Sequence, residues 1–433
     1  MLCSKYIFVT RGDAFRCASR LPLAIIFRAF GASRLPLAII FRAFGASRLP
    51  LMAFHMARLQ RFLRKARVME TDVIVVGKGI AGLVVSLLLK RKGISHLLLD
   101  RRTARKQLAL GETLPPSALS LLQSLGLLDL FESNSLHRTR GYHSAWGSTA
   151  IADHNFFFHS PFQHGLKINK QSIENDLERL TSENILRFEK LTAIRLTDQG
   201  VTIELQNDQG PMVLRGRCLV EATGRNRAVL KLLGIINTEY DQLTAYSCHL
   251  PRREHPKITH SVFVESFEHG WGIVSGLSDE VQVMSLFSRQ RVGLHSEMRN
   301  YSCWPALLFE TAHLRDFLSA DDDIKVVGGD AGSSRAAQFA GQCWLATGDA
   351  AIAFDPLSSH GITNAVYTAH KAAEAIALHL SDFNEKYFRE YAESLSAIFA
   401  AYLGTRYELY ECERRWLGAP FWTSGKEPQL KKT

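Results

Sequence analysis

Thr71–Gly82 reads TDVIVVGKGIAG, and its two halves ask different things of the backbone. The first six residues are an apolar, β-branched run of the kind that forms a strand covered on both faces. Gly77, Gly79 and Gly82 then fill the glycine positions of a GxGxxG turn. Gly77 permits the tight turn, Gly79 lets the backbone approach a pyrophosphate, and Gly82 lets the following helix pack closely on the strand. That helix carries Leu83, Leu87 and Leu88 and runs to Gly93; its first-turn amides, including those of Ile80 and Ala81, face the phosphates. Ile94–Leu99 is a second apolar strand, closed by Asp100, whose carboxylate accepts hydrogen bonds from ribose hydroxyls, with Arg101 beside it at the same edge. A lone GxGxxG says little. Strand, turn, helix and acid in this order predict a Rossmann-like α/β domain that binds a dinucleotide.

The fingerprint does not separate FAD from NAD; two later segments do, by resemblance. Cys343–Ala373, CWLATGDAAIAFDPLSSHGITNAVYTAHKAA, resembles the second FAD motif of the para-hydroxybenzoate hydroxylase and halogenase superfamily. That resemblance implies that Asp349 bonds the ribityl chain and that the loop Pro356–Ile362 lies along the isoalloxazine. It also implies that the helix opening near Gly361 and Ile362 aims its N-terminus at the flavin, where a helix dipole favours the anionic reduced form. Leu219–Arg227, LVEATGRNR, resembles the superfamily's strand and ATG turn, which brings Gly224 to the cofactor. The likeness spans nearly all of residues 70–422. The fold class it implies is that of a two-dinucleotide-binding-domain flavoprotein, with an antiparallel substrate sheet and a C-terminal helical segment.

Two further stretches resemble subgroups of that superfamily. Gly111–Pro116, GETLPP, is similar to a segment of flavin-dependent halogenases and their relatives. Arg406, Tyr407, Glu411, Arg415, Trp416 and the PFW of Pro420–Trp422, with Ser144–Gly147, resemble flavoproteins that hydroxylate a tryptophan of a partner polypeptide during quinone-cofactor maturation. The resemblance implies a monooxygenase: reduced FAD and dioxygen form a C4a-hydroperoxide in a dry site, aimed at an electron-rich ring. Halogenation is the competing chemistry. Against it, Gly270–Ser275 keeps only Trp271 of the WxWxIP motif, and Ser358 stands where tryptophan halogenases carry a catalytic glutamate. A prenyl-type double-bond reductase and a non-enzymatic maturation scaffold are the remaining alternatives.

Catalytic side chains are hard to read where an enzyme works by positioning and desolvation. His360 is the candidate proton donor or hydrogen-bonding group at the flavin or substrate; the alternative is a loop histidine facing solvent. Glu112 either bonds flavin or substrate, or caps the helix beginning near Ser117. Trp146 and Trp271 either line an aromatic pocket or are buried in the sheet. No second GxGxxG is present for NAD(P)H, so NAD(P)H is expected to deliver electrons in passing or through a separate flavin reductase.

The net charge of +10 invites a nucleic-acid reading, but residues 1–69 hold 13 Lys/Arg and one acid, while the rest holds 39 basic and 41 acidic residues. No basic nucleic-acid groove is expected in the enzyme. Residues 18–31, ASRLPLAIIFRAFG, recur unchanged at 32–45, and a third copy stops after Leu51. Arginines cut every apolar run well short of the ~20 residues of a membrane span. The extension 1–69 reads either as a transit peptide or as translated upstream sequence with initiation at Met52, Met56 or Met69. Residues 56–68 also suit a short basic amphipathic helix. The seven cysteines are scattered, with no CxxC and no histidine at zinc-ligand spacing, so buried thiols in a reducing cytoplasm are expected and a metal site is not.

The expected architecture is a discontinuous FAD domain from 70–140, 165–235 and 325–380, a substrate sheet from 141–164 and 236–324, and a helical region with tail at 381–433. Alternating runs at Ser261–Glu265 and Val281–Phe287 mark that sheet, helices are expected at Asn364–Leu380 and Asn384–Glu413, and Ser424–Thr433 is expected to fray.

Overall fold

The computed structural model describes residues 67–101, 108–158, 161–319 and 324–423. The repeats, Met52 and Met56, most of the basic helix expected at 56–68, and the tail Ser424–Thr433 lie outside the described residues. In chain order, β1 (Arg67–Val76) leads through α1 (Ile80–Arg91) to β2 (His96–Arg101). Then come β3 (Thr113–Leu114), α2 (Pro116–Ser124), β4 (Ser135–Thr139), β5 (Gly141–Ala145) and β6 (Ala152–Asn155). β7 (Gly165–Ile168) enters α3 (Lys170–Thr181), followed by β8 (Ile185–Phe188), β9 (Lys190–Thr197), β10 (Gly200–Asn207) and β11 (Gly210–Glu221). The second half holds β12 (Asn237–Glu239), β13 (Leu243–Pro251), β14 (Val262–Phe267), β15 (Gly270–Gly276) and β16 (Val281–Arg289). After β17 (Val327–Asp330), β18 (Ser334–Ala336), β19 (Ala340–Gly341), β20 (Trp344–Ala346) and β21 (Ile352–Ala353), the long helices α4 (Gly361–Asp382) and α5 (Lys386–Glu411) close the described chain.

The first sheet has the order β19-β20-β11-β1-β2-β8, with β10 on β11 and β9 on β10. β2 and β11 flank β1 in parallel, and Val73–Val76 are buried between them. This is why that run is continuously apolar rather than alternating. β1 starts at Arg67: Arg67, Val68 and Met69, expected to belong to the extension, pair with Met212, Val213 and Leu214. Their backbone groups complete the ladder on β11, a pairing that composition does not reveal.

The second sheet, β17-β13-β16-β15-β14-β5-β6, contains the antiparallel run over Gln242–Phe287, widened by β17 and by the hairpin β5–β6. Alternation here separates two apolar faces rather than apolar from polar, and every residue of β14 is buried. Phe263 and Phe267 face a cluster with Trp304 and Phe317, whereas Val264 faces one with Trp271 and Phe421. The last described residues cover the centre of one face of this sheet through Phe421 and Trp422, while its edge strands β6 and β17 stay largely exposed. A three-stranded sheet, β3-β7-β4, stands apart from both. Both C-terminal helices appear, α4 opening three residues earlier than expected.

Candidate active site

At the end of β1, Gly77 has φ +113°, and a Cβ there would stand 2.3 Å from the Ala222 carbonyl oxygen. A Cβ on Gly82 would meet the Gly77 carbonyl oxygen at 1.9 Å. Turn, helix and the strand end at Ala222 are thus pressed together as only glycine allows. Gly79 differs. It is exposed, nothing lies within 4 Å of its ideal Cβ, and no side chain caps the helix it opens. The first-turn amides of Ile80, Ala81 and Gly82 need acceptors, and the open space beside Gly79 suits a pyrophosphate.

Asp100 ends β2 with a part-exposed carboxylate, and Arg101 beside it is exposed. Sequence reasoning passed over Lys78, whose Nζ lies 3.3 Å from Asp100 and 2.7 Å from Glu178 of α3. Burial opposes the charge of Lys78, but Glu178 and Asp100 more than compensate and hold its amine above the usual lysine value. Lys78 thus holds the Asp100 carboxylate in place with lone pairs left over, an arrangement that would suit a ribose.

The two distant motifs meet this turn directly. A Cβ on Gly348 would touch the Ala81 Cβ at 3.0 Å, so the Gly348–Asp349 turn rests on the first turn of α1. Arg225 Nε lies 3.5 Å from the Asp349 carboxylate, and Arg227 donates to the carbonyls of Asp349 and Ala350 at 3.1 and 3.0 Å. Gly224, at φ +63°, places both arginines. The sequence signal for both is the RNR that follows the ATG turn. Burial raises the Asp349 carboxyl above its usual value, and the nearby charges of Arg225, Lys170 and Arg227 oppose that without overcoming it. Cationic groups around a glycine turn suit a diphosphate.

Asp355 orders the loop within the second motif. Its side chain accepts from the Leu357 amide at 2.9 Å and from Tyr410 at 2.6 Å, and it pairs with Arg406 at 3.2 Å. Pro356, Gly361 and His360 are exposed and Ile362 is half-buried. His360 precedes α4 with its ring turned back to the Ser358 carbonyl, and no side chain caps that helix. In this arrangement His360 faces solvent at the rim of the loop. Leu357 packs instead on the cluster of Trp271, Phe287 and Phe421. Trp271 is fully buried, stacked on Phe287 at 3.8 Å, with Nε1 donating to Tyr410; Trp146 is half-buried, its ring 6.4 Å from that of Trp271.

Glu112 is half-buried and does not cap α2, whose N-cap is Pro115 without a side-chain cap. Its amide carbonyl accepts from Ile168, and its charge acts on Lys167 and on Glu174 of α3. Two His/Asp groups also come together, His143 with Asp153 and His260, and His255 with His313 and Asp316. Sequence spacing showed neither. Histidine–carboxylate contacts account for their geometry, for example His260 Nε2 at 2.9 Å from Asp153.

Residues 70–403 match the FAD binding domain family. The chain belongs to that family and is an FAD-dependent oxidoreductase of the monooxygenase and halogenase superfamily. Among relatives, it is 26% identical over 358 residues to the putative FAD-dependent oxidoreductase LodB of Marinomonas mediterranea, covering 81% of this chain and 95% of that one. The fold is shared with the flavin-dependent halogenase CmlS (TM-score 0.71, 20% identity, 82% of this chain and 67% of that one). It is also shared with QhpG, a peptidyl tryptophan dihydroxylase essential for tryptophylquinone cofactor biogenesis (TM-score 0.64, 20% identity, 82% and 78%). Among the described residues no helix is long and apolar enough to cross a membrane.

Proposed function

We infer that this chain is an FAD-dependent monooxygenase that hydroxylates an electron-rich aromatic ring, and that the ring is a tryptophan of a partner polypeptide. The observation that carries this reading is the contact between the flavin loop and the aromatic cluster, made through Leu357 beside Trp271 and Phe421. Bound FAD, once reduced, supplies the electrons that activate dioxygen. The chain's own residues do the rest. The amides after Gly79 and the cations Arg225 and Lys170 hold the diphosphate. Asp100 takes the ribose, Asp349 takes the ribityl hydroxyls, and Gly224, Pro356, Gly361 and Ile362 contact the flavin side. The indoles and phenyl rings around Trp271 exclude water on the substrate side.

His360 and Glu112 remain the groups assigned to proton handling or hydrogen bonding at the reacting ring. His360 sits on the rim of the loop, beside the opening of α4. The FAD domain is assigned to 70–140, 165–235 and 325–380 and the substrate domain to 141–164 and 236–324, except that Arg67–Met69 pair within the first sheet and Val327–Asp330 within the second. NAD(P)H is the assigned electron source, direct or through a flavin reductase, and a reducing cytoplasm is the assigned location. Halogenation is disfavoured by Ser358 in place of an acidic residue.

The test is isotopic. Protein loaded with FAD and reduced is mixed with labelled dioxygen and a tryptophan-bearing peptide or a simple indole, with halide present. The expected product carries labelled oxygen and no halogen. A halogenated product, or reoxidation of flavin with no oxygen in any aromatic tested, would overturn the assignment.

A further inference from the structure

Lys167 is fully buried, an unusual place for a lysine unless it is paired or functional. It lies on β7, the central strand of the small sheet, directly opposite Thr113 of β3 and His137 of β4. Its backbone is therefore fixed from both sides. Its Nζ donates to Thr113 Oγ1 at 3.3 Å and to Ser275 Oγ of β15, in the substrate sheet. Ser275 in turn donates to the Gly111 carbonyl at 3.1 Å.

Gly111 adopts φ +59°, and a Cβ there would meet Lys167 Cε at 3.1 Å and Leu277 Cδ2 at 2.3 Å. The loop is drawn as close to the lysine as a backbone can come. The same loop carries Glu112, whose charge reaches Glu174 on α3; Lys170, from that helix, acts on Asp349. One amine thus joins the cofactor-side loop to the substrate sheet, in contact with hydroxyls and with no carboxylate.

We propose that Lys167 is a positioning residue for the flavin reaction, holding the Gly111–Thr113 loop and the Glu112 carboxylate in place between the flavin and the substrate sheet. This rests on the reading that the loop faces the flavin. Burial, opposed only in part by Glu112, lowers the Lys167 amine to about 7. His137 across the strand is lowered as well, by burial and then by the Lys167 and Arg252 charges, with Asp279 opposing. The amine therefore changes charge near neutral pH, and the hold on the loop changes with it. The protonated amine donates to both hydroxyls and attracts Glu112. The neutral amine loosens that attraction.

The experiment uses the FAD-loaded full chain, reduced with dithionite and mixed with aerated buffer, the reoxidation rate being followed in the flavin visible band from pH 5.5 to 9. Wild type is expected to show an inflection near pH 7. Lys167→Met, of similar length and apolar, should keep its FAD and lose that inflection. Ser275→Ala removes an acceptor of the ammonium and should move the inflection to lower pH. A yellow Lys167→Met protein with the wild-type pH profile, or an unmoved inflection in Ser275→Ala, overturns the proposal alone. A wild-type chain that takes up no FAD overturns the flavin reading and this proposal together.

Discussion

Arg406 Nε of α5 lies 3.2 Å from the carboxylate of Asp355 in the loop before α4, and both side chains are almost wholly buried. Arg406 also reaches Asp241 at 3.0 Å. One guanidinium thus pins the loop before α4 and the entry to β13 to the last long helix. Breaking a buried pair strands the surviving charge, at a cost of about 3–5 kcal/mol. Arg406→Leu is expected to lose stability in that range in denaturant unfolding, and to release FAD more readily because Leu357 loses its anchor. Tyr410→Phe removes the bond to Asp355 and the partner of Trp271, and should cost about 1–3 kcal/mol.

Gly79 and Gly82 are predicted to fail in opposite ways. Gly79→Ala meets nothing in the chain, and its φ of −83° suits alanine. Its flavin-free stability should stay within about 0.5 kcal/mol of wild type, while FAD binding weakens at least tenfold, about 1.4 kcal/mol. Gly82→Ala drives a Cβ into the Gly77 carbonyl and should cost about 1–3 kcal/mol of fold stability before any cofactor is added. Calorimetry of the flavin-free proteins, with FAD titrations beside it, separates the two.

Asp349→Ala should purify without flavin, whereas His360→Ala should stay yellow and lose turnover. A colourless His360→Ala protein would mean that the rim histidine serves retention of the cofactor rather than the reaction.

Lys167 gives the fold a pH dependence of defined sign. Its amine sits at about 7 in the folded chain against 10.5 for a free lysine. Between those values the unfolded chain binds the extra proton, so stability rises with pH across the window. The burden of burying the charged amine is fully present below pH 7 and vanishes above about 10.5. Lys167→Met carries no such burden. It should be more stable than wild type at pH 6 by a few kcal/mol, less ~1–2 kcal/mol for the lost hydrogen bonds, and the gap should shrink toward pH 10. A gap that stays constant from pH 6 to 10 would show that the amine never loses its proton.

The sequence by itself determined the cofactor class and the order of the parts. Glycine turns, β-branched buried strands and a helix opened by glycine are local devices whose residue types follow from backbone geometry. Gly77, Gly79 and Gly82 were legible for that reason, whereas the Gly348–Asp349 turn was read through its resemblance to a known FAD motif. Tertiary structure alone decided what joins the parts. Arg406 meets Asp355 across 51 residues, Lys167 meets Ser275 across 108, and Arg225 meets the carbonyl of Phe354 across 129. An arginine or lysine in a sequence looks the same whether its charge ends in water or in the core. Only the packing of distant strands and helices removes the water and sets the charge to work.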